Sequence, residues 1–218
     1  MAEGGPALPR GPHNLPRSEI LASQRLRLVD AMLREVGARG YEATTVGDVV
    51  GRAQVSRNAF YELFDDKQDC FLAACDEVGE RTLARVDALA SQPSWLDAAR
   101  VGFDDFLAWW DAQAGLMAAY LVDMPTAGRA ALEQRDRQVA RFTEIFDSLA
   151  ARAREEQPEL PPLPELAARL LVSAIFELLG QEIRAGRAAK LAELRRPLLD
   201  FVVRTLADEE TAVRAAGC

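Results

Sequence analysis

Apolar residues recur at three- and four-residue intervals along most of the chain, and no segment shows the strict alternation of a half-buried strand. The pattern predicts an all-α protein. Leu26, Val29, Leu33 and Val36 form the first stripe, in a helix expected over 23–40 that stops at the glycines Gly37 and Gly40. Val46, Val49, Val50 and Ala53 form a second stripe opened by Thr45 as N-cap, and Phe60, Leu63 and Phe64 a third opened by Ser56. Val55 is the apolar plug in the tight turn between these two short helices. A fourth helix is predicted from Lys67 to Ser91, which at 1.5 Å per residue spans about 36 Å. Helices are then expected over 94–114, 116–123 and 129–156, the last burying Val139, Phe142, Ile145, Phe146 and Leu149. A Pro-rich linker over 158–164 cannot be helical, and two apolar helices close the chain, over 165–183 and along the stripe from Leu191 to Leu206. The first 20 residues, rich in Pro and Gly, predict a flexible arm.

The two short helices around Gln54-Val55 have the dimensions of a helix-turn-helix. With Phe60, Leu63 and Phe64 turned inward, Arg57, Asn58 and Tyr61 fall on the outer face of the second one. Arg can grip guanine O6 and N7, Asn can do the same for adenine N6 and N7, and a Tyr hydroxyl can donate to a phosphate. The candidate DNA-binding set is therefore Thr45, Ser56, Arg57, Asn58, Tyr61 and Lys67. On pattern alone, a helical hairpin that merely exposes Arg and Asn stands beside this reading, as does a plain surface role for Lys67. Arg17 and Arg25 are candidate minor-groove or phosphate contacts; for Arg17 a solvated leader is the competing reading, and for Arg10 the preferred one.

The helix over 23–40, the GYEATTV that follows, the turn Gln54-Val55-Ser56 and the run AFYELFDDKQDCFLAACDE together resemble the N-terminal domain of the TetR family of one-component transcriptional regulators. Two positions depart from the family pattern: Gln54 stands where Gly is usual, and Leu63 where His is frequent. Gln can adopt the left-handed backbone at a modest penalty, and Leu63 becomes core instead of a phosphate contact. The resemblance implies a three-helix DNA-binding domain at 21–67 behind an arm at 1–20, a larger helical ligand-binding and dimerisation domain at 68–209, and a tail at 210–218. It further implies a homodimer that binds a palindromic operator in double-stranded DNA and a repressor released by a small, largely apolar effector. Catalytic residues, metal and cofactor have no place in it.

Aromatic and Met residues gather in the middle of the chain: Phe103, Phe106, Trp109, Trp110, Met117, Tyr120 and Met124, then Phe142, Phe146 and Phe176. They read either as packed core or as the wall of an apolar pocket with Tyr120 and the indole N–H groups as orienting donors. The resemblance favours a pocket without choosing its residues. Asp104, Asp105 and Asp111 have no obvious partner in sequence; one of them facing a pocket would select a cationic ligand, and a solvated face is the other reading. The helix over 165–183 is apolar nearly all round its middle, which calls for burial on more than one side. A second copy would supply the extra side, with Leu171, Ile175, Leu178, Leu194, Leu198 and Val202 as candidate dimer contacts, and a fully internal helix is the alternative.

Charge sharpens this picture. The 218-residue chain has a formal net charge of -8, yet 23–67 carries seven basic and seven acidic residues, and 1–22 is also neutral, so the acidic excess lies in 68–218. Such a protein should adhere weakly to random DNA and show a shallow salt dependence, because the sequence-independent term scales with phosphates neutralised. The single His, His13, removes zinc and His-dependent triads from consideration. Cys70, Cys75 and Cys218 form no disulfide or metal framework; inert buried thiols are one reading and a redox sensor the other. No apolar run approaches the roughly 20 residues that span a bilayer, and the leader lacks a hydrophobic signal core, so a cytoplasmic location is expected. An enzyme with a vestigial head is the remaining alternative from another class. It finds no Gly-rich phosphate loop and no Gly-x-Ser-x-Gly turn to support it. A regulator without small-molecule control is the alternative within DNA binding.

Overall fold

The computed structural model describes residues 16–87, 91–111 and 113–207, and all regular structure among them is helical. In chain order the elements are α1 (Arg17–Arg39), α2 (Val46–Ala53), α3 (Arg57–Leu63), α4 (Lys67–Asp87), α5 (Trp95–Asp111), α6 (Ala114–Ala118), α7 (Arg129–Glu156), α8 (Ala167–Arg184) and α9 (Arg195–Leu206). A π-helical turn, Ala119–Asp123, and a 3-10 turn, Met124–Thr126, follow α6, and a 3-10 stretch, Ala188–Leu194, leads into α9. Arg10, His13, Cys218, the tail, most of the arm and the side chain of Asp111 lie outside the described residues.

The chain forms two compact units that are not contiguous in sequence. One takes residues up to Val78 together with Gly115–Ala131; the other takes Gly79–Ala114 and the chain from Leu132 onward. The first unit therefore extends beyond the 21–67 segment expected from sequence, and α4 supplies residues to both.

In the first unit, α1 begins at Arg17 instead of near Ser23. Pro16 precedes it with a fixed φ of -54° and Glu19 sits in its first turn, both favourable at a helix start, so Arg17 belongs to a helix and not to the arm. The buried face runs Leu28, Val29, Met32, Leu33, Val36, and Leu26 falls on its flank at 46% exposure, contrary to the expected stripe. The helix ends at Gly40, whose N–H reaches the carbonyl of Val36 at 2.7 Å and whose φ of +83° turns the following chain out of the helix. Gly37 has a different reason to lack a side chain: a Cβ there would lie 2.3 Å from the carbonyl oxygen of Gly115, so α1 and α6 meet backbone to backbone. Phe60, Phe71, Met117 and Met124 complete the centre of this unit.

In the second unit, α5 packs against α9 and the 3-10 stretch before it, and α8 packs on α9. Trp95, Trp110, Leu171, Leu179, Leu191 and Val202 are its most deeply buried large side chains. The N-terminus of α5 is capped twice: Ser94 Oγ accepts from the Asp97 N–H at 3.1 Å, and the Trp95 N–H donates to Glu156 at 2.9 Å. α8 starts at Ala167 because Leu166 takes a left-handed conformation, φ +65°, at the end of the Pro-rich segment.

Candidate nucleic-acid interface and ligand cavity

The helix-turn-helix is assembled by local interactions. Thr45 and Asp48 form a reciprocal capping box at the start of α2: Thr45 Oγ1 accepts from the Asp48 N–H at 3.2 Å, and the Thr45 N–H donates to Asp48 Oδ2 at 2.9 Å. The Thr45 hydroxyl and then its N–H, both donating to Asp48 Oδ2, hold the Asp48 carboxyl below its ordinary range, with Arg39 at 3.1 Å adding to the effect. α2 ends at Gln54, left-handed at φ +53°, ψ +45°. Arg27 steadies this turn by donating to the carbonyls of Ala53 (3.2 Å) and Gln54 (3.4 Å). Ser56 Oγ then caps α3 by accepting from the Ala59 N–H at 3.1 Å. Val55, Phe60 and Phe64 are buried and Leu63 is half-buried.

With that face committed, Arg57, Asn58 and Tyr61 stand exposed along α3, Tyr61 at 52%. The other candidates have intramolecular work. The Thr45 hydroxyl also donates to Asp48 Oδ2 at 2.6 Å, so both its donor groups, N–H and O–H, are spent on the cap. Lys67 donates to the Tyr41 carbonyl at 2.9 Å and lies 4.1 Å from the centre of the Tyr41 ring, tying α4 to the loop after α1. An ammonium has three N–H donors, so this anchoring leaves two for other contacts. Arg17 pairs with Glu62 of α3, and Arg25 lies over the Phe64 ring at 5.6 Å.

Sequence reasoning missed two features of this unit. Glu35 is buried with Arg39 at 2.8 Å and Arg52 as ion-pair partners, which joins α1 to α2. The 115–131 segment also docks here: the Tyr41 N–H donates to Asp123 Oδ1 at 2.9 Å, and Gln68 donates to the Ala127 carbonyl. Partial burial pushes the Asp123 carboxyl up, opposed by the Tyr41 hydrogen bond. Cys70 and Cys75 are free thiols inside this unit; burial pushes Cys70 up to about 12 and Cys75 well above its usual value, so neither is a thiolate at neutral pH.

The second unit holds a cavity of about 600 Å³ between α4, α5, α7 and α8. Of the aromatic candidates, Phe103, Phe106, Phe142, Phe146 and Phe176 line it. Trp109 and Trp110 do not: Trp110 is core, and Trp109 is half-buried beneath the Arg85 guanidinium, 5.5 Å from the ring centre. Met117, Tyr120 and Met124 do not either, because the segment that carries them belongs to the core of the first unit. Space is created by Ala98, Ala99 and Gly102 on α5, opposite Ile145, Leu149 and Ile175. Small residues on an otherwise apolar, aromatic helix were the sequence signal for it. Asp104 and Asp105 are outside the cavity and have partners, Arg195 at 2.7 Å and Arg85 at 2.8 Å, so neither offers a carboxylate to a cationic ligand.

The candidate dimer contacts also need correction. Leu171, Ile175, Leu198 and Val202 are buried inside a single chain, since α8 and α9 turn these residues toward the core of their own unit. Ile175 in fact lines the cavity. Leu178 and Leu194 are half-buried, and the large apolar side chains left open are Leu170 (66%) on α8, Phe201 (47%) on α9 and Leu166 (57%) just before α8. Among the described residues no helix is long and apolar enough to cross a membrane, and no group of three or more His, Cys, Asp or Glu side chains could hold a metal ion.

Comparisons with known proteins agree with this anatomy. Residues 28–74 match the family model for bacterial regulatory proteins of the tetR family. None of the curated proteins is a significant sequence match. The fold is similar to that of the transcriptional regulator FadR from Bacillus subtilis, described in complex with stearoyl-CoA. The two are 14% identical with a TM-score of 0.73, over 82% of this chain and 97% of that one. It is similar also to TylP, a TetR regulator from Streptomyces fradiae, at 22% identity and a TM-score of 0.67 over 91% and 92% of the two chains. A TetR family regulator from Marinobacter aquaeolei, 17% identical, gives 0.67 over 88% and 99%. Residues 28–74 are thus matched by the tetR family model as a helix-turn-helix DNA-binding domain, and the all-helical fold of the chain is shared with solved regulators of that family.

Proposed function

We propose that this regulator is a repressor that binds a palindromic operator as a homodimer and is released by a small, largely apolar ligand held in the cavity of the second unit. The observation that carries the reading is the pairing of an open Arg57/Asn58/Tyr61 face on α3 with a 600 Å³ apolar cavity in the same chain. A volume of several hundred Å³ with few polar groups suits a ligand of small-molecule size. The FadR relative, described with stearoyl-CoA, supports a ligand with a long apolar part. Arg57 and Asn58 are the base readers, Tyr61 and Ser56 phosphate donors, and Lys67 a phosphate contact through the N–H groups its anchoring leaves over. Arg17 and Arg25 flank them as backbone contacts.

One short recognition helix offers little binding surface, so affinity and the reading of two half-sites about 34 Å apart call for a two-fold dimer. Leu170 on α8, Phe201 on α9 and Leu166 just before α8 are the large apolar groups available for pairing, together with the half-buried Leu178 and Leu194. α4 has residues in both units and lines the cavity with Glu80, Leu83 and Ala84, which gives a ligand direct contact with the helix that begins beside α3. Release requires that the ligand prefer the conformation unfit for DNA; a hundredfold loss of operator affinity corresponds to about 2.7 kcal/mol of such preference.

The experiment is fluorescence anisotropy on operator DNA while apolar ligands are titrated in. Release of DNA by a ligand that acts more weakly on a Gly102→Leu variant supports the reading. Release that is unaffected by narrowing the cavity sinks it.

A further inference from the structure

The polar groups of the cavity wall are confined to two of its four helices. α4 supplies Glu80, and α7 supplies Arg141, Glu144, Ser148 and Arg152; the contributions of α5 and α8 are apolar. Arg141 and Arg152 are three helical turns apart on the same face of α7, about 16 Å end to end. They are held in different ways. Arg152 donates to Glu156 at 2.8 Å and to the Gln92 carbonyl, and Glu156 also accepts from the Trp95 N–H, so Arg152 belongs to the joint between α5 and α7. Arg141 instead faces Glu80 of α4 through a two-pronged contact, its second prong at 3.1 Å. The two side chains are 42% and 59% exposed. The Arg141 hydrogen bond holds the Glu80 carboxyl below its ordinary range.

An ion pair this open is only weakly favoured over hydrated charges, so another carboxylate or phosphate oxyanion can replace one partner. The guanidinium fork is shaped for that exchange, because planar anions bind it at two points. A cation replacing Arg141 on Glu80 would exchange a fork for a point charge. Glu80 thus marks where an anionic head would sit, at the edge of a cavity whose α5 and α8 walls suit an apolar tail. We propose, resting on the reading of this cavity as the effector site, that the effector is an amphiphile with one anionic head, and that the head displaces Glu80 from Arg141.

The exchange has a structural consequence because of where Glu80 sits. One residue earlier, Gly79 passes so close to α7 that a Cβ would lie 2.6 Å from the Gln138 amide. The Glu80–Arg141 pair therefore ties α4 to α7 at a point of close approach, and an anion that takes Arg141 loosens that tie.

The test is calorimetric binding to the full chain of three probes that share a ten-carbon tail: decanoate, decanol and decyltrimethylammonium, each kept below its micelle-forming concentration. Wild type, Glu80→Gln and Arg141→Gln are compared. Wild type should bind decanoate about tenfold more tightly than decanol, and Arg141→Gln should bring the two within about twofold. Glu80→Gln, by removing the competitor, should tighten decanoate by up to about fivefold and leave decanol unchanged. Equal binding of decanoate and decanol by wild type, weaker decanoate binding by Glu80→Gln, or a preference for decyltrimethylammonium overturns the exchange while the cavity remains a ligand site. Absence of binding by every probe to every form removes the cavity reading and the exchange together.

Discussion

The helix-turn-helix and the cavity are built on opposite terms. Around α2 and α3 the caps and the turn are local, the capping box closing over three residues and Ser56 capping the helix it precedes, while Arg27 and Glu35 of α1 hold them in place. The cavity is a product of distant residues, since Ala98, Ala99 and Gly102 leave a gap that Ile145, Leu149 and Ile175 do not fill. A surface assembled from local rules is fixed in shape and suited to reading a fixed partner. A space set by mismatched side-chain volumes can be retuned by one substitution.

That contrast can be broken experimentally. Its largest expected effect is on folding: Phe60→Ala removes a fully buried ring from the DNA-reading unit and should cost about 3–5 kcal/mol in chemical denaturation. Phe106→Ala, at a half-buried position on the cavity wall, should cost about 1–2 kcal/mol, because part of that ring already faces open space. Equal losses would mean that the cavity is as tightly packed as the core.

Next in size, Arg57→Ala should weaken operator binding by about 1–3 kcal/mol and relax one base position without changing the melting temperature. Lys67→Ala should weaken all DNA alike and also lower the melting temperature slightly, because the Tyr41 carbonyl and ring lose their partner. Anisotropy with single-base operator variants, alongside thermal melts, separates the two roles. Gly102→Leu, which narrows the cavity, should weaken ligand response while operator affinity stays within about twofold of wild type.

The smallest effect is a pH dependence. Asp48 has a carboxyl depressed in the folded state by Thr45 and Arg39. Its contribution to stability is present above the ordinary carboxylate range and is lost as pH falls through the depressed folded value. The melting-temperature gap between wild type and Asp48→Ala should therefore narrow on acidification below that range. A gap that widens would mean that Asp48 stabilises α2 through its neutral form.

The same contrast explains what sequence could and could not reveal. The plug at Val55 and the inward Phe60 and Phe64 follow from helix periodicity and capping and stand where those rules put them, and Gln54 takes the left-handed conformation that the family resemblance implied there. Leu171, Ile175, Leu198 and Val202 were assigned to a partner chain, yet they are buried in their own, because an apolar stripe does not reveal which surface covers it. Asp104 and Asp105 found Arg195 and Arg85, partners that lie 91 and 20 positions away and that only tertiary structure brings near. Met117, Tyr120 and Met124 looked like pocket residues by composition. They instead pack in the first unit, beside the close approach of Gly37 to Gly115 and the hydrogen bond from Tyr41 to Asp123.

If α3 reads DNA through Arg57 while the acidic remainder of the chain suppresses indiscriminate binding, selectivity and salt dependence are fixed together. The most direct test is fluorescence anisotropy of wild type and Arg57→Ala on DNA from upstream of the gene and on scrambled DNA, at two salt concentrations. Wild type should bind selectively with a shallow salt slope, and Arg57→Ala should lose that selectivity while weak binding to scrambled DNA is little changed. Equal losses on both DNAs, or a steep salt slope for wild type, would contradict it.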